Sequence, residues 1–316
     1  MSRLRVALLS GGVSSERAIS AKSGDQVHEA LDKSRYEVVR YDPATDLARL
    51  VADAEDIDVA LVILHGPYGE DGRIQGFLDL LGIPYQCSGV LGSAVAMDKV
   101  FSKWLYERHG LAVPPHVIAR PGTNPVADHA KSGIGFPVFV KPNRGGSSIG
   151  MGVANDEAEL ARAVEIGLAE DESVLVEAHI TGVELTGAIM GNEELTALPI
   201  VEIVPDKRYA FFDYEAKYTP GATTEICPAR ISEEETRAAQ RAAIVAHRAL
   251  GCRGYSRTDM IMRDAVLYVL ETNTIPGMTA TSLFPQAAAE AGMSFSRLLD
   301  RLIELALEHA GAEKRG

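Results

Sequence analysis

The first ninety residues alternate between short continuous apolar runs and apolar positions at helical spacing. The run VALL (6–9) stops at Gly11-Gly12, and Ala18, Ser20, Val27 and Leu31 then recur with a helical period. The strand-like YEVVRY (36–41) follows, and then VALVIL (59–64), apolar throughout. Continuous apolar runs mark strands covered on both faces, and their β-α-β-α rhythm predicts an open parallel α/β sheet. Ligands of such sheets sit beyond the carboxyl ends of the strands. That singles out two segments, GGVSSE (11–16) and HGPYGEDG (65–72).

Further along, residues 93–109 predict one amphipathic helix stopped by Gly110. PPHVIAR (114–120) and FPVFVKPN (136–143) predict strands, and the glycine-rich NRGGSSIGMG (143–152) comes next. Asp156 and Glu159 stand at capping-box spacing before another helix. Residues 173–191 and 195–205 predict more strands, whereas 206–224 are polar and aromatic with neither period. Such a segment inside a compact domain is more often a lid or binding loop than filler. A capping box from Ser232 to Glu235 opens a helix that closes at Gly251. Strands YSRTDMIM (255–262) and AVLYVLETN (265–273) follow, joined at Arg263-Asp264, and helices start at Ser282 and Ser294. Changes of pattern place domain boundaries near 94 and 181, giving segments 1–94, 95–181 and 182–316.

Length and charge narrow the class. A chain of 316 residues suits two or three domains. With 31 Lys+Arg against 44 Asp+Glu the formal charge is −13, the wrong sign for a nucleic-acid partner. Anionic small molecules remain open, because a few focused cations can dominate a cleft. Three scattered cysteines outside any CxxC pattern offer neither a disulfide framework nor a spacing-coded zinc site. No apolar run approaches a signal-peptide core or the roughly 18 residues of a membrane span. The expectation is a soluble cytoplasmic protein with no membrane partner.

The strongest chemical constellation is Arg257-x-Asp259 on one strand and Glu271-x-Asn273 on the next. Residues two apart share a strand face, so in a hairpin Asp259, Glu271 and Asn273 would converge as three oxygen donors beside Arg257. Such a set suits Mg²⁺ holding nucleotide phosphates; taken alone it is equally an ordinary cross-strand salt bridge. The following NTIPGMTATS (273–282) leads into a helix whose first amides can hold a carboxylate. The loop after Lys141 lacks the Walker A and GxGxxG spacings; it is either a hairpin turn or a flexible phosphate cover carrying two serines. His65 and Glu70 lie in a glycine-shaped turn at a strand end, where a histidine is structural or catalytic. Glu16 either favours the positive end of the helix it opens or binds an ammonium.

Together these segments resemble one family. HGPYGEDGRIQG (65–76) and LGCRGYSRTDMIM…LETNTIPGMTATS (250–282) resemble the two signature segments of D-alanine–D-alanine ligases, members of the ATP-grasp superfamily. GGVSSE (11–16), GIPYQCSGVLGSAVAMDK (82–99), VKPNRGGSSIGM (140–151) and DYEAKY (213–218) agree in order, so the resemblance spans essentially the whole chain. It implies a three-domain ATP-grasp fold of the α/β class, with an N-terminal open parallel sheet and the nucleotide gripped between the later two domains. It further implies that Lys99 and Lys141 contact ATP phosphates, with Ser147 and Ser148 closing over them. Glu177 would meet the adenine and Glu184 the ribose, while Asp259, Glu271 and Asn273 would hold two Mg²⁺ (or Mn²⁺). Arg257 and the Gly277 amide would donate to the oxyanion. Glu16 would bind the first D-alanine's ammonium and join Ser147 and Tyr218, with His65 and Glu70 on the substrate side. Ser282 and Leu283 would hold the second D-alanine's carboxylate, and Lys217 and Tyr218 would ride on a closing loop. A homodimer is common in the family.

The implied activity is ATP-dependent formation of D-alanyl-D-alanine through an acyl phosphate, for peptidoglycan precursors. Relatives that use D-lactate typically carry Phe where Tyr218 stands, so this residue favours an amine acceptor. D-lactate or D-serine ligation, or a catalytically silent nucleotide-binding relative, are the rival readings; the silent form predicts loss of a ligand or of Arg257, and all are present. Thr258 and Thr272 replace apolar residues usual between the paired ligands and are expected to face away from the metals. Gly145 stands where many relatives have Glu.

Overall fold

The computed structural model of the chain describes residues 3–145, 150–205 and 223–313. Ser147, Ser148, Lys217, Tyr218 and most of the irregular 206–224 segment lie outside them. The described residues form three sheets. In the first, β1 (Leu4–Leu9), α1 (Arg17–Ala30), β2 (Tyr36–Tyr41), α2 (Leu47–Ala52) and β3 (Val59–Val62) alternate, followed by α3 (Arg73–Leu81) and α4 (Val90–Met97). The strands lie in the order β2-β1-β3, all parallel. As the unbroken apolar runs require, β3 is buried at every position, and so are the last four residues of β1.

A short helix α5 (Lys99–Arg108) leads to the second sheet. Here β4 (His116–Ala119), α6 (Pro125–Ser132), β5 (Val138–Pro142), β6 (Gly152–Ala154), α7 (Glu157–Glu170) and β7 (Val174–Ala178) give an antiparallel sheet ordered β4-β7-β5-β6. Val138, Val140, Val174 and Val176 pack on Leu160 and Val164 of α7. Strand alternation therefore sends Phe139, Lys141, Leu175 and Glu177 to the opposite face.

The third sheet comprises β8 (Val183–Gly191), β9 (Thr196–Ala197), β10 (Val201–Pro205), β11 (Thr223–Ile226), β12 (Gly254–Arg263) and β13 (Val266–Asn273), with α8 (Glu233–Ala249) inserted before β12. Its path is β11-β10-β8-β12-β13, with β9 paired to β8. The alanine stripe of α8 (Ala239, Ala242, Ala243, Ala246) lies on Leu185, Ile189 and Met260, so helix and sheet approach closely. Two helices close the fold, α9 (Leu283–Glu290) and α10 (Phe295–Glu313). Leu298, Leu299, Leu302 and Ile303 of α10 share one core with Leu8, Val59 and Leu61. The end of the chain thus covers the first sheet and fixes it against the third.

Two local expectations are corrected. Residues 93–109 do not form one helix: Asp98 is extended and caps a new one, accepting from the Phe101 amide at 3.1 Å. An aspartate that caps the following turn ends α4 and starts α5 in a new direction. The β12–β13 turn also lies one residue later than expected, at Asp264-Ala265. Both residues have positive φ, the geometry that matches strand twist in a two-residue hairpin.

Candidate active site

The β12–β13 hairpin positions the central charges. Its register sets Arg257 opposite Asn273, Thr258 opposite Thr272, and Asp259 opposite Glu271; a bulge then brings Met260 opposite Val269. The bulge has a specific consequence. Val269 belongs to the core, so strict alternation would turn Glu271 inward with it. The extra residue, Leu270, restores the phase, and Glu271 and Asn273 share the face of Arg257 and Asp259 while Thr272 faces the core. There Thr272 accepts from the buried Tyr106 hydroxyl at 2.7 Å and lies 3.0 Å from Thr258 Oγ1. Both threonines point away from the charged face.

On that face Arg257 grips Asp259 bidentately, Nε to Oδ1 at 2.8 Å and Nη2 to Oδ2 at 2.7 Å. Thr186 Oγ1 donates to Oδ1 at 2.7 Å and Asn273 Nδ2 to Oδ2 at 3.1 Å, so three residues hold the carboxylate by four hydrogen bonds. Burial opposes the guanidinium charge, but the Asp259 carboxylate more than offsets this and raises the Arg257 pKa. Lys99 Nζ stands 3.8 Å from Glu271 and donates to the Gly145 carbonyl at 2.8 Å. Glu184, two residues before Thr186 on β8, faces the same side.

The donors can be tested as a metal site. Among the described residues no group of three or more His, Cys, Asp or Glu side chains is arranged to hold a metal alone. Two carboxylates and an amide, by contrast, form a partial set of hard oxygens. They fit Mg²⁺ or Mn²⁺ that takes its remaining ligands from phosphate and water.

A second group of charges lies at the carboxyl ends of the first sheet. Glu16 begins α1, yet its buried side chain makes no capping hydrogen bond, which argues against a purely helix-stabilising role. Gly66 has φ +71°, and a Cβ there would lie 2.7 Å from Glu16 Oε2. The glycine is thus required both for the turn and for the carboxylate's place. The Gly66 amide donates to Glu70 Oε2 at 2.7 Å. Burial first, and then the Glu16 charge, push the Glu70 pKa up to about 8. His65 is buried; desolvation, with the field of Arg257, pushes its pKa down to about 4, so its imidazole is neutral at pH 7. Its Nε2 has no hydrogen-bond partner among the described residues.

The third group faces out from the second sheet. Glu177 of β7 is enclosed, with Oε2 2.9 Å from Lys141 Nζ on β5 and Oε1 2.9 Å from Lys103 Nζ on α5. Burial alone would raise the carboxyl pKa, but the two lysines hold it below the ordinary value. Lys103 escapes a reading of the sequence, although a signal exists. The buried stripe of α5 includes Lys99, Val100, Lys103 and Tyr106, placing a second lysine four residues after the first on a core-facing line.

Beyond β13, Ser282 precedes α9 but does not cap it. Its hydroxyl lies 2.7 Å from Thr279 Oγ1 and accepts from the Thr279 amide at 3.1 Å. A Cβ on Gly277 would meet that hydroxyl at 3.0 Å, so Gly277 and Ser282 are neighbours, and the Leu283 amide opens the helix beside them. A separate cavity of about 330 Å³ lies beside the first-sheet loops, lined by Gly12, Leu64, Tyr68 and Phe77 as well as Ser14 and His65. It is lined by neither Glu16 nor Glu70 and holds none of the hairpin charges.

Comparisons with known proteins identify the family. Residues 105–304 match the family model described as D-ala D-ala ligase C-terminus, and residues 45–88 match the one described as D-ala D-ala ligase N-terminus. A D-alanine–D-alanine ligase of Syntrophobacter fumaroxidans is 61% identical over 97% of this chain and 98% of its own length. The crystal structure of the D-alanine–D-alanine ligase of Bacillus anthracis complexed with ATP superposes with a TM-score of 0.86 at 36% identity, covering 98% of this chain and 99% of that one. The VanG D-Ala:D-Ser ligase of Enterococcus faecalis gives 0.83 at 30% identity, covering 96% and 100%. By fold, ATP-grasp, and by sequence along nearly its whole length, the chain belongs to the D-alanine–D-alanine ligase family.

Proposed function

We propose that the protein joins two D-alanines at the expense of ATP, releasing ADP and phosphate, and so supplies the dipeptide for peptidoglycan precursors. The observation that carries this reading is the β12–β13 hairpin, which presents Arg257, Asp259, Glu271 and Asn273 on one face beside Lys99. A carboxylate oxygen of the first D-alanine attacks the γ-phosphorus, the bond to ADP breaks, and an acyl phosphate forms. The amine of the second D-alanine, having lost a proton, attacks the carbonyl carbon. A tetrahedral oxyanion forms and collapses with loss of phosphate, leaving the peptide bond.

Each residue has a part in this scheme. Glu16 and Glu70 hold the first ammonium, and neutral His65 lines that end. Arg257 and the Gly277 amide donate where the oxyanion develops. Ser282 and the Leu283 amide receive the second carboxylate at the start of α9. Lys99 and Lys141 face the phosphates, Glu177 the adenine and Glu184 the ribose. Asp259, Glu271 and Asn273 would hold two Mg²⁺ or Mn²⁺, whose contribution is to neutralise charge on the phosphates. Ser147, Ser148, Lys217 and Tyr218, outside the described residues, are assigned by family resemblance to loops that close over the acyl phosphate and exclude water. The three sheets support a threefold division with a boundary near 181, whereas position 94 falls inside α4, and α10 packs back on the first sheet. Among the described residues no helix is long and apolar enough to cross a membrane; a cytoplasmic location and a homodimer are proposed on the family resemblance alone.

The test is phosphate release by the purified protein with ATP and Mg²⁺, the dipeptide being identified by mass spectrometry. D-alanine should support turnover and L-alanine should not; absence of D-alanine-dependent phosphate release would overturn the proposal. D-lactate and D-serine as acceptors, assayed in parallel, decide the product.

A further inference from the structure

One buried carboxylate, Glu177, is matched by two lysines, each 2.9 Å from a different oxygen. A single lysine would balance the charge. The second therefore needs an explanation, because a buried ammonium costs free energy wherever its charge is not required. Lys103 bears that cost: its side chain is 0% exposed, and burial pushes its pKa down to about 8. Its one charged contact among the described residues is Glu177 Oε1, 2.9 Å away. Neither Lys103 Nζ nor that oxygen has another hydrogen-bond partner among them. Stability alone does not account for such a residue.

The two lysines differ in what else they can reach. Lys103 rises from the buried stripe of α5 and is sealed between helix and sheet. Lys141 stands near the end of β5, two residues before Asn143 and four before Gly145, whose carbonyl accepts from Lys99. It projects from the sheet face opposite the core, on the side where the glycine-rich loop begins. We infer that Lys103 is a positioning residue: as the dedicated counter-ion of Glu177, it leaves the Lys141 ammonium available to the nucleotide phosphates. With Lys103 present, Glu177 stays ionised and fixed while Lys141 turns to an incoming anion. Without it, Glu177 would claim Lys141 for itself. This inference rests on the proposed nucleotide role of Lys141 and adds to it a resident charge that tunes the site for phosphate.

The experiment measures binding of a non-hydrolysable ATP analogue and of adenosine, by calorimetry with Mg²⁺, to the wild type, Lys103→Met, Glu177→Gln and the double variant. Lys103→Met should weaken the triphosphate at least tenfold and adenosine less than threefold. In the Glu177→Gln background the same change should cost the triphosphate less than threefold, because no carboxylate is left to compete for Lys141. Lys103→Met should also melt no lower than the wild type, since Glu177 keeps one partner. Equal weakening of both ligands, an undiminished effect in the Glu177→Gln background, or a lowered melting temperature would each overturn the inference. Failure of the wild type to bind the triphosphate would instead overturn the nucleotide role itself.

Discussion

Replacing Glu70 with glutamine separates the cost of the acidic pair from its use. Glu70 titrates near 8 in the folded protein against an ordinary 4.5, chiefly because of burial and secondarily because of the Glu16 charge. Between those two values the unfolded chain has released a proton that the folded site keeps. The sign follows: the favourable contribution is complete below pH 4.5 and is lost as pH rises through 8. At ~1.4 kcal/mol per pH unit, the wild type should lose about 3 kcal/mol at most, relative to Glu70→Gln, between pH 5.5 and 8. In a chain of this size that is on the order of 5 °C in melting temperature. The assay is thermal unfolding of both proteins across this range. Taking their difference cancels to first order the other groups whose charges reach Glu70, namely Glu16, Arg257 and Glu271. D-alanine at saturation should flatten the wild-type curve, because an ammonium favours the ionised carboxylate, and should leave the variant unchanged. The variant should lose most D-alanine-dependent turnover while gaining stability at pH 8. A melting difference that stays constant from pH 5.5 to 8 would show that Glu70 ionises as an ordinary carboxylate, and the reasoning would fail.

Other changes probe the remaining parts. Gly66→Ala forces a side chain into φ +71° and 2.7 Å from Glu16 Oε2; steady-state kinetics should show KM for D-alanine raised at least tenfold and KM for ATP nearly unchanged. Asp259→Asn should weaken Mn²⁺ binding in the presence of ADP tenfold or more, read by electron paramagnetic resonance, and lower kcat at least a hundredfold. Thr272→Val takes away the acceptor of the buried Tyr106 hydroxyl. Thermal or denaturant unfolding should report a loss of about 1–2 kcal/mol, with kcat within twofold of the wild type.

The sequence was most informative where a rule acts along the chain. Continuous apolar runs located the parallel strands, and the pairing of Arg257 with Asp259 and of Glu271 with Asn273 followed from the two-residue strand period. The Ser232 box is present in full, both hydrogen bonds included. At Asp156 only half of it forms as expected: its side chain accepts from the Glu159 amide, while Glu159 returns to Asn155. What stayed hidden depends on tertiary contacts. The bulge at Leu270 is one case, since nothing in VLYVLETN marks where alternation must slip; the slip is set by Val269 and Thr272 both needing the core. Lys103 is another, because its burial arises only when α5 meets β7. The packing of α10 on the first sheet is a third, and it joins residues nearly 300 positions apart.

The arrangement of charge also explains how an acidic chain can orient a zwitterion beside a triphosphate. Most charged groups in the cleft are already paired: Arg257 with Asp259, and Lys99 with Glu271. Pairing keeps their desolvation tolerable and their positions fixed. Departures from balance occur at two ends. At the first sheet, burial and the Glu16 charge keep a proton on Glu70 up to about pH 8, so the acidic pair shares one proton beside a neutral imidazole. At the second sheet, two lysines share one carboxylate, an excess of positive potential. On the roles proposed above, an amino acid would enter ammonium-first toward Glu16 and Glu70, leaving its carboxylate toward Arg257 and the phosphate. The net −13 of the chain is then no obstacle, because a few focused groups set the local field.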